Sequence, residues 1–314
     1  MMEAPASQLP GVSPLSRTRL ALLATLALFG LSFPGQMAEA RDLRIAVVGK
    51  GIGGEYWSAV RQGATREGRA QGVKVTYQGP PTETDVASQI AIMENLIQSG
   101  VDGIAVSPCN ARSLNRIVRK ALASGIKVVT LDSDTSDKDR LSYVGTDNAA
   151  AGAMAAQQAL RLVRPGSTVA IVTGVLGAQN LQQRRDGFTR EVAGRLKLLE
   201  AQPDNGDKAR AVEVTENILT AHPEVALFFT DNAISGPGAG QAIRSRGKAG
   251  KVRLVSMDVT PDLKTLLDQG VADALVAQRP ERMGEMAVRL LKDAIGGKAV
   301  PNRVDTGVEV VRRK

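Results

Sequence analysis

The chain has one Cys and one His in 314 residues. A single thiol excludes an intrachain disulfide and a Cys-rich zinc site, and a single imidazole leaves little room for a His-dependent metal centre; no metal is expected. Aromatic residues are scarce as well: one Trp, three Tyr and five Phe make up 3% of the chain. A core must therefore be built from Val, Ile, Leu and Ala, and an aromatic in a loop stands out. Acidic residues are outnumbered, with 40 Lys and Arg against 32 Asp and Glu, a net charge of +8. Such a balance invites nucleic acid or a membrane surface as partner. No nucleic-acid motif accompanies it, so the charge is read as a surface property. What remains, 43% hydrophobic and 23% charged residues with 32 Gly and 14 Pro, describes a globular chain long enough for about two domains.

Long apolar runs are also lacking, with one exception near the N-terminus. Arg17 and Arg19 precede the run from Leu20 to Phe33, and Ala38-Glu39-Ala40 follows it. A charged start, an apolar stretch too short to span a bilayer and a small-x-small site predict a secretory signal peptide over residues 1–40, cut after Ala40. No Cys follows the run, which argues against a lipid anchor. The expected location is outside the cytoplasm, in the periplasm of a cell with two membranes.

From Arg41 onward one unit repeats: a short run rich in β-branched residues, a polar turn, a helical stretch, then Gly and the next run. The runs fall at 44–49, 73–77, 102–107, 126–131, 168–173, 225–230, 252–257 and 272–277. Most are apolar at consecutive positions, as strands covered on both faces must be, which predicts mainly parallel sheets. Between them, Val86, Ile90, Met93, Leu96 and Ile97 fall on one helical face. Gly72, Gly100, Gly125 and Gly270 each stand where a helix should end before a strand. The pattern is that of a doubly wound α/β protein with right-handed crossovers.

Ligands of such sheets bind beyond the carboxyl ends of the strands. At those exits stand Lys50, Ser107, Asp132 with Asp134, the loop from Gly174 to Asn180, Asn232, Asp258 and Gln278. Asp, Asn and Ser at such places also cap helices and make Asx turns, so for each single residue both readings stand. Together with Arg184, the set mixes donors, carboxylates and amides. It suits a neutral ligand with many hydroxyls, since each hydroxyl both donates and accepts. Tyr56 and Trp57 follow the first strand's turn. An aromatic plane can lie under the C–H face of a sugar; the plainer reading is a helix that buries both rings against its own sheet.

Other chemistries fit less well. Gly49 to Gly54 satisfies G-x-G-x-x-G, but the second strand ends at Gln78-Gly79 without the acidic residue that would hold a ribose, so no dinucleotide and no other cofactor is expected. Asp132 and Asp134 stand two apart on what reads as an extended segment, which points both carboxylates the same way. That arrangement suits gripping a hydroxyl better than flanking a glycosidic bond. His222 precedes a strand and lies away from the exits, and Cys109 has no His or second Cys beside it. No catalytic residue is assigned and no enzyme is expected.

The order of these segments, IAVVGKGIGGEYWSAVRQG, DGIAVSP, IKVVTLDSD, YVGTDNAAAG, QRRDGF, TAHPEVALFFTDN, VSMDVTPD and VAQRPERMG, resembles the sugar-binding proteins of ATP-binding-cassette importers. These belong to the type I periplasmic-binding-protein superfamily, with its ribose- and glucose/galactose-binding members. The likeness runs from about Leu43 to the C-terminus. It implies two similar α/β domains joined by three crossings, one of residues 41–146 and 279–303, the other of 147–278 and 304–314, with hinges at Thr146-Asp147 and Gln278-Arg279. It implies that Lys50, Tyr56, Trp57, Asp132, Asp134, Asn180, Arg184, Asn232, Asp258 and Gln278 bind the ligand. Ser133, Gly54 and Gly206 depart from the ribose-type pattern, so a pyranose such as glucose is expected rather than ribose. The implied partners are a monosaccharide and an inner-membrane permease, with a chemoreceptor as a further one, for a chain acting as a monomer. A transcription regulator of the same fold and a secreted glycosidase are the alternatives.

Overall fold

A computed structural model describes residues 42–313; the expected signal peptide, residues 1–40, lies outside the described residues. The first lobe is laid down as β1 (Arg44–Val48), α1 (Glu55–Gln71), β2 (Lys74–Gln78), α2 (Val86–Ser99), β3 (Gly103–Val106), α3 (Asn115–Ala123), β4 (Lys127–Leu131) and β5 (Ser142–Gly145). The chain then crosses to α4 (Asn148–Leu162), β6 (Thr168–Thr173), α5 (Gln179–Val192), β7 (Lys197–Leu198), β8 (Gln202–Pro203), α6 (Lys208–Ala221), β9 (Val225–Thr230), α7 (Ser235–Ser245), β10 (Arg253–Met257), α8 (Pro261–Asp268) and β11 (Ala274–Ala277). It returns for α9 (Pro280–Ile295) and β12 (Arg303–Asp305), and ends in β13 (Glu309–Arg312).

Two sheets result. The first has the order β12-β5-β4-β3-β1-β2 and the second β13-β11-β10-β9-β6-β7, with β8 also beside β6. Every described pairing in the first is parallel. The second is parallel except at one edge, where β13 runs antiparallel to β11, a common finish for an otherwise parallel sheet and in keeping with the mainly parallel sheets expected. The apolar runs become buried strands, as in Gly103–Val106, where all four residues are buried, except at the edge strand β2, none of whose residues is buried. Each sheet has an apolar layer on both faces, which is why the runs show no alternation. The second lobe contains a stacked pair, Phe188 and Phe229, with ring centroids 4.4 Å apart. Gly72 and Gly100 close α1 and α2 at φ of 65° and 64°, the left-handed geometry that suits glycine. No helix among the described residues is long and apolar enough to cross a membrane.

In each lobe one helix pair meets backbone to backbone. A Cβ at Gly63 of α1 would come within 2.0 Å of the Glu281 carbonyl on α9, and one at Gly284 within 2.1 Å of the Val60 carbonyl. The second lobe repeats this between α4 and α5, with Gly152 against the Arg184 carbonyl at 2.0 Å and Gly187 against the Ala149 carbonyl at 2.1 Å.

The chain passes between the sheets after β5, after β11 and after β12. Thr146 and Gln278 stand at the first two crossings, and the Thr146 hydroxyl donates to Gln278 Oε1 at 3.0 Å. Because Arg303–Asp305 pairs with Tyr143–Gly145 of β5, the last crossing comes after Asp305 rather than after residue 303. The expected boundary missed it because a three-residue strand leaves no apolar run to read.

Candidate ligand-binding site

Between the lobes, at the carboxyl ends of both sheets, lies a cavity of about 210 Å³. It is smaller than the cavities that hold drug-sized ligands. Asp132 ends β4 on the first-lobe side, with φ at 59°. A three-residue turn closes around it, the Ser133 N–H donating to the Leu131 carbonyl at 2.6 Å. Its carboxylate sits in a cage of donors: Lys50 Nζ at 2.8 Å, the Ser107 hydroxyl at 2.9 Å, the Tyr56 hydroxyl at 2.9 Å and Asn180 Nδ2 at 3.1 Å. Burial opposes its ionisation, but the charges of Lys50 and Arg184 prevail and hold the carboxyl below its ordinary value. Burial and the Asp132 charge push the Tyr56 phenol well up, so it remains a donor.

The second lobe answers with a matching exit. Asp258 follows β10 with φ at 72°, and its N–H donates to Val276 of the neighbouring strand as the Asp132 N–H does to Val144. Its surroundings lack a lysine, and burial raises its pKa to about 6. Gln278 gives Asp258 its Nε2 at 2.8 Å and accepts Arg184 Nη2 at 2.7 Å, so its amide orientation is fixed. Arg184, 1% exposed, donates also to Asn148 at 2.9 Å and to the Asp231 carbonyl at 2.8 Å, and reaches within 4.0 Å of Asp132. Asn180, in the first turn of α5, accepts Lys50 Nζ at 3.0 Å, which links the lobes through side chains alone.

Trp57 fits both sequence readings. It is 5% exposed, belongs to the first lobe's core and lines the cavity. Its ring meets Tyr56 edge to face at 5.1 Å, and its indole N–H donates to Glu83 at 3.1 Å. Asn232 also lines the cavity, but its side chain is taken up locally: Oδ1 accepts the N–H groups of Ile234 and Ser235, and Nδ2 donates to Ser235 and Asp231. It acts as the turn-former that opens α7.

Asp134 does not reach the cavity. Its carboxylate is held by Arg140, Nη2 at 2.7 Å and Nε at 3.1 Å, and by the Thr130 hydroxyl at 2.7 Å. The two acids part because the chain between them is not extended. The left-handed turn at Asp132 sends the residues after it away from the ligand face.

A family model described as a periplasmic binding protein domain matches residues 45–299. The chain belongs to that family. It is 32% identical over 268 residues to the D-allose-binding periplasmic protein of Escherichia coli K12, spanning 82% of this chain and 86% of the relative. An ABC transporter solute-binding protein of Burkholderia graminis, solved with D-arabinose, superposes with a TM-score of 0.84 at 35% identity, over 88% of this chain and 97% of that one. One from Agrobacterium vitis, solved with D-fucose, reaches 0.84 at 31% identity, over 86% and 95%.

The cavity also gathers residues that sequence reasoning passed over: Glu55 and Glu83 from the first lobe, and Lys208, Thr260 and Asp262 from the second. Glu83 follows β2, so the strand-exit rule could have found it had the reading continued past Gln78. Lys208 follows β8, a two-residue strand with no apolar run to announce it. Another residue missed is Gln89, which α2 buries completely. It donates to the carbonyls of Gly49 and Ser107 at 3.0 and 2.8 Å and accepts the Cys109 N–H at 2.9 Å, tying the exits of β1 and β3 together. Cys109 is buried there, and burial pushes its thiol up to about 12, an inert neighbour as expected. His222 caps the end of α6 beside Glu224, away from the cavity.

Proposed function

We propose that this chain is an exported solute-binding protein that captures a monosaccharide between its lobes and delivers it to an ABC permease. The observation that carries the reading is the network around Asp132. Lys50 and Asp132 of one lobe, 2.8 Å apart, meet Asn180 and Arg184 of the other at 3.0 to 4.0 Å, beside a buried tryptophan and a small cavity. Neighbours solved with D-arabinose and D-fucose and a relative described as D-allose-binding support a sugar as the ligand class. Five carboxylates and three cations line the cavity (Glu55, Glu83, Asp132, Asp258 and Asp262; Lys50, Arg184 and Lys208). This balance favours a neutral ligand over a sugar phosphate or sugar acid, and a pyranose is the form we propose.

The mechanism is hinge closure, the motion that general accounts of periplasmic binding proteins describe. The pieces moving are residues 42–146 with 279–305 against the rest of the described chain, about the crossings at Thr146 and Gln278. A ligand shifts the balance toward closure only by contacts it makes better in the closed form. Groups that reach it from opposite lobes provide that difference. Export rests on residues 1–40 serving as a cleaved signal peptide, and purified protein from the periplasm should begin at Arg41. A permease reads the closed surface in this scheme; a chemoreceptor is a second reader.

Titration calorimetry with a panel of aldopentoses, aldohexoses and their deoxy forms tests the reading. Saturable binding of at least one neutral monosaccharide, with no heat from the corresponding sugar phosphate, is the expected result. Silence across the panel would overturn it.

A further inference from the structure

Among the charged groups that line the cavity without joining the network around Asp132, Glu83 is the one that contacts Trp57. Glu83 stands in the loop between β2 and α2, held by the turn that leads to the Asp85 cap, whose carboxylate accepts the Ser88 N–H at 2.9 Å. One of its oxygens, Oε1, accepts the Trp57 indole N–H at 3.1 Å. The other, Oε2, has no hydrogen-bond partner among the described residues and belongs to a side chain that lines the cavity. Across from it, in the second lobe, is Gly206, at φ 75°, where a Cβ would lie 3.6 Å from Glu83 Cβ. A Cβ there would be in ordinary contact with Glu83, while the positive φ disfavours most side chains, so glycine keeps the space beside the carboxylate open. Lys208 also lines the cavity, but its ammonium pairs with Asp262 at 2.6 Å.

The groups around Asp132 and Asp258 provide acceptors and donors for ring hydroxyls at the inner end of the cavity. Glu83 offers an acceptor beside the Trp57 ring and outside that network. Resting on the monosaccharide reading above, we infer that Glu83 is a specificity-determining residue: it accepts a hydrogen bond from a hydroxyl carried on an exocyclic carbon of the sugar, and so selects a hexopyranose over the pentopyranose of the same ring configuration. A pentopyranose has no hydroxymethyl group, so bound in the same pose it leaves this carboxylate oxygen desolvated and unpaired, which costs affinity.

The test uses sugar pairs that differ only in that group: D-glucose with D-xylose, D-allose with D-ribose, D-galactose with L-arabinose. Affinities are measured by calorimetry for the wild type, for Glu83→Gln, which keeps an acceptor for Trp57, and for Gly206→Asn, which puts a side chain tolerant of positive φ against Glu83. In at least one pair the wild type should bind the hexose about tenfold or more tightly than the pentose, and either variant should reduce that ratio at least about fivefold. Melting temperatures taken alongside separate a change in selectivity from a loss of folding. Equal or better pentose binding in every pair, or a hexose preference that Glu83→Gln leaves intact, overturns the assignment of Glu83. Failure of all six sugars to bind overturns the assignment of Glu83, and silence across the wider panel above overturns the monosaccharide reading itself.

Discussion

Asn180 of the second lobe donates its side-chain amide to Asp132 of the first at 3.1 Å, while its carbonyl oxygen takes Lys50 at 3.0 Å. One amide thus serves an anion and a cation that are themselves 2.8 Å apart. A neutral group that both donates and accepts satisfies both partners, as a sugar hydroxyl would.

Trp57 lines the cavity and is the single tryptophan of the chain. Trp57→Ala should weaken sugar binding at least about tenfold, or about 1.4 kcal/mol, through loss of a plane against which C–H groups pack. Titration calorimetry checks this; unchanged affinity would mean that the sugar lies elsewhere.

Asp258 has a pKa of about 6, and a hydroxyl that donates to it needs the ionised form. Below that value binding must first expel a proton, so affinity should fall as pH is lowered from 7.5 to 5, by at most about tenfold per unit. Asp258→Asn should bind more weakly at pH 7.5 and lose most of the slope. A slope that survives this substitution assigns the titration to another group.

Asp204, fully buried below α7, has its pKa raised to about 7 by burial, against the help of Ser235 and Gly206. A carboxyl raised in the folded state is easier to bury protonated. Its contribution to stability is therefore full below the unfolded value near 4 and is lost as pH rises toward 7. Asp204→Asn should melt at least about 2 °C higher than wild type at pH 8 and lose that advantage at pH 4. Calorimetric scans at the two pH values decide it.

Asp134 and Asp132 should behave oppositely. Asp134→Ala leaves Arg140 buried without its carboxylate and should cost about 3–5 kcal/mol of stability, with sugar affinity within about threefold of wild type in the folded protein. Asp132→Ala should abolish measurable binding. Denaturant titration beside calorimetry distinguishes the two losses.

Gly152 sets the distance between α4 and α5. Gly152→Ala forces a Cβ onto the Arg184 carbonyl and should cost about 1–3 kcal/mol of stability. Because Arg184 must shift with its helix, sugar affinity should fall as well, by more than in Gly166→Ala, where the positive φ strains the substitution but a Cβ meets no neighbour within 4 Å.

Much of this was legible along the chain. The eight apolar runs all became strands, because a strand covered on both faces must be apolar at consecutive positions whatever its partners are. The strand-exit rule led to Lys50, Asp132, Asn180, Asp258 and Gln278, since in a parallel sheet every carboxyl end faces the same side. The short pieces were not legible. β7 and β8, two residues each, and β12, three, owe their strand geometry to the neighbour they pair with rather than to any pattern of their own.

Direction was the other thing hidden. Asp134 and Asn232 stand at strand exits as surely as Asp132 does, yet a left-handed turn carries one onto Arg140 and a local cap absorbs the other. Glu83 lines the cavity from a loop whose position its hydrogen bond with Trp57 helps to set. The sequence by itself determined the doubly wound architecture and the side of the sheets on which a ligand must lie, because periodicity and the order of strands and helices are local properties. Only the tertiary structure decided which exit residues face the cavity, because that depends on one or two dihedral angles and on partners more than a hundred residues away, as Lys50 and Asn180 are.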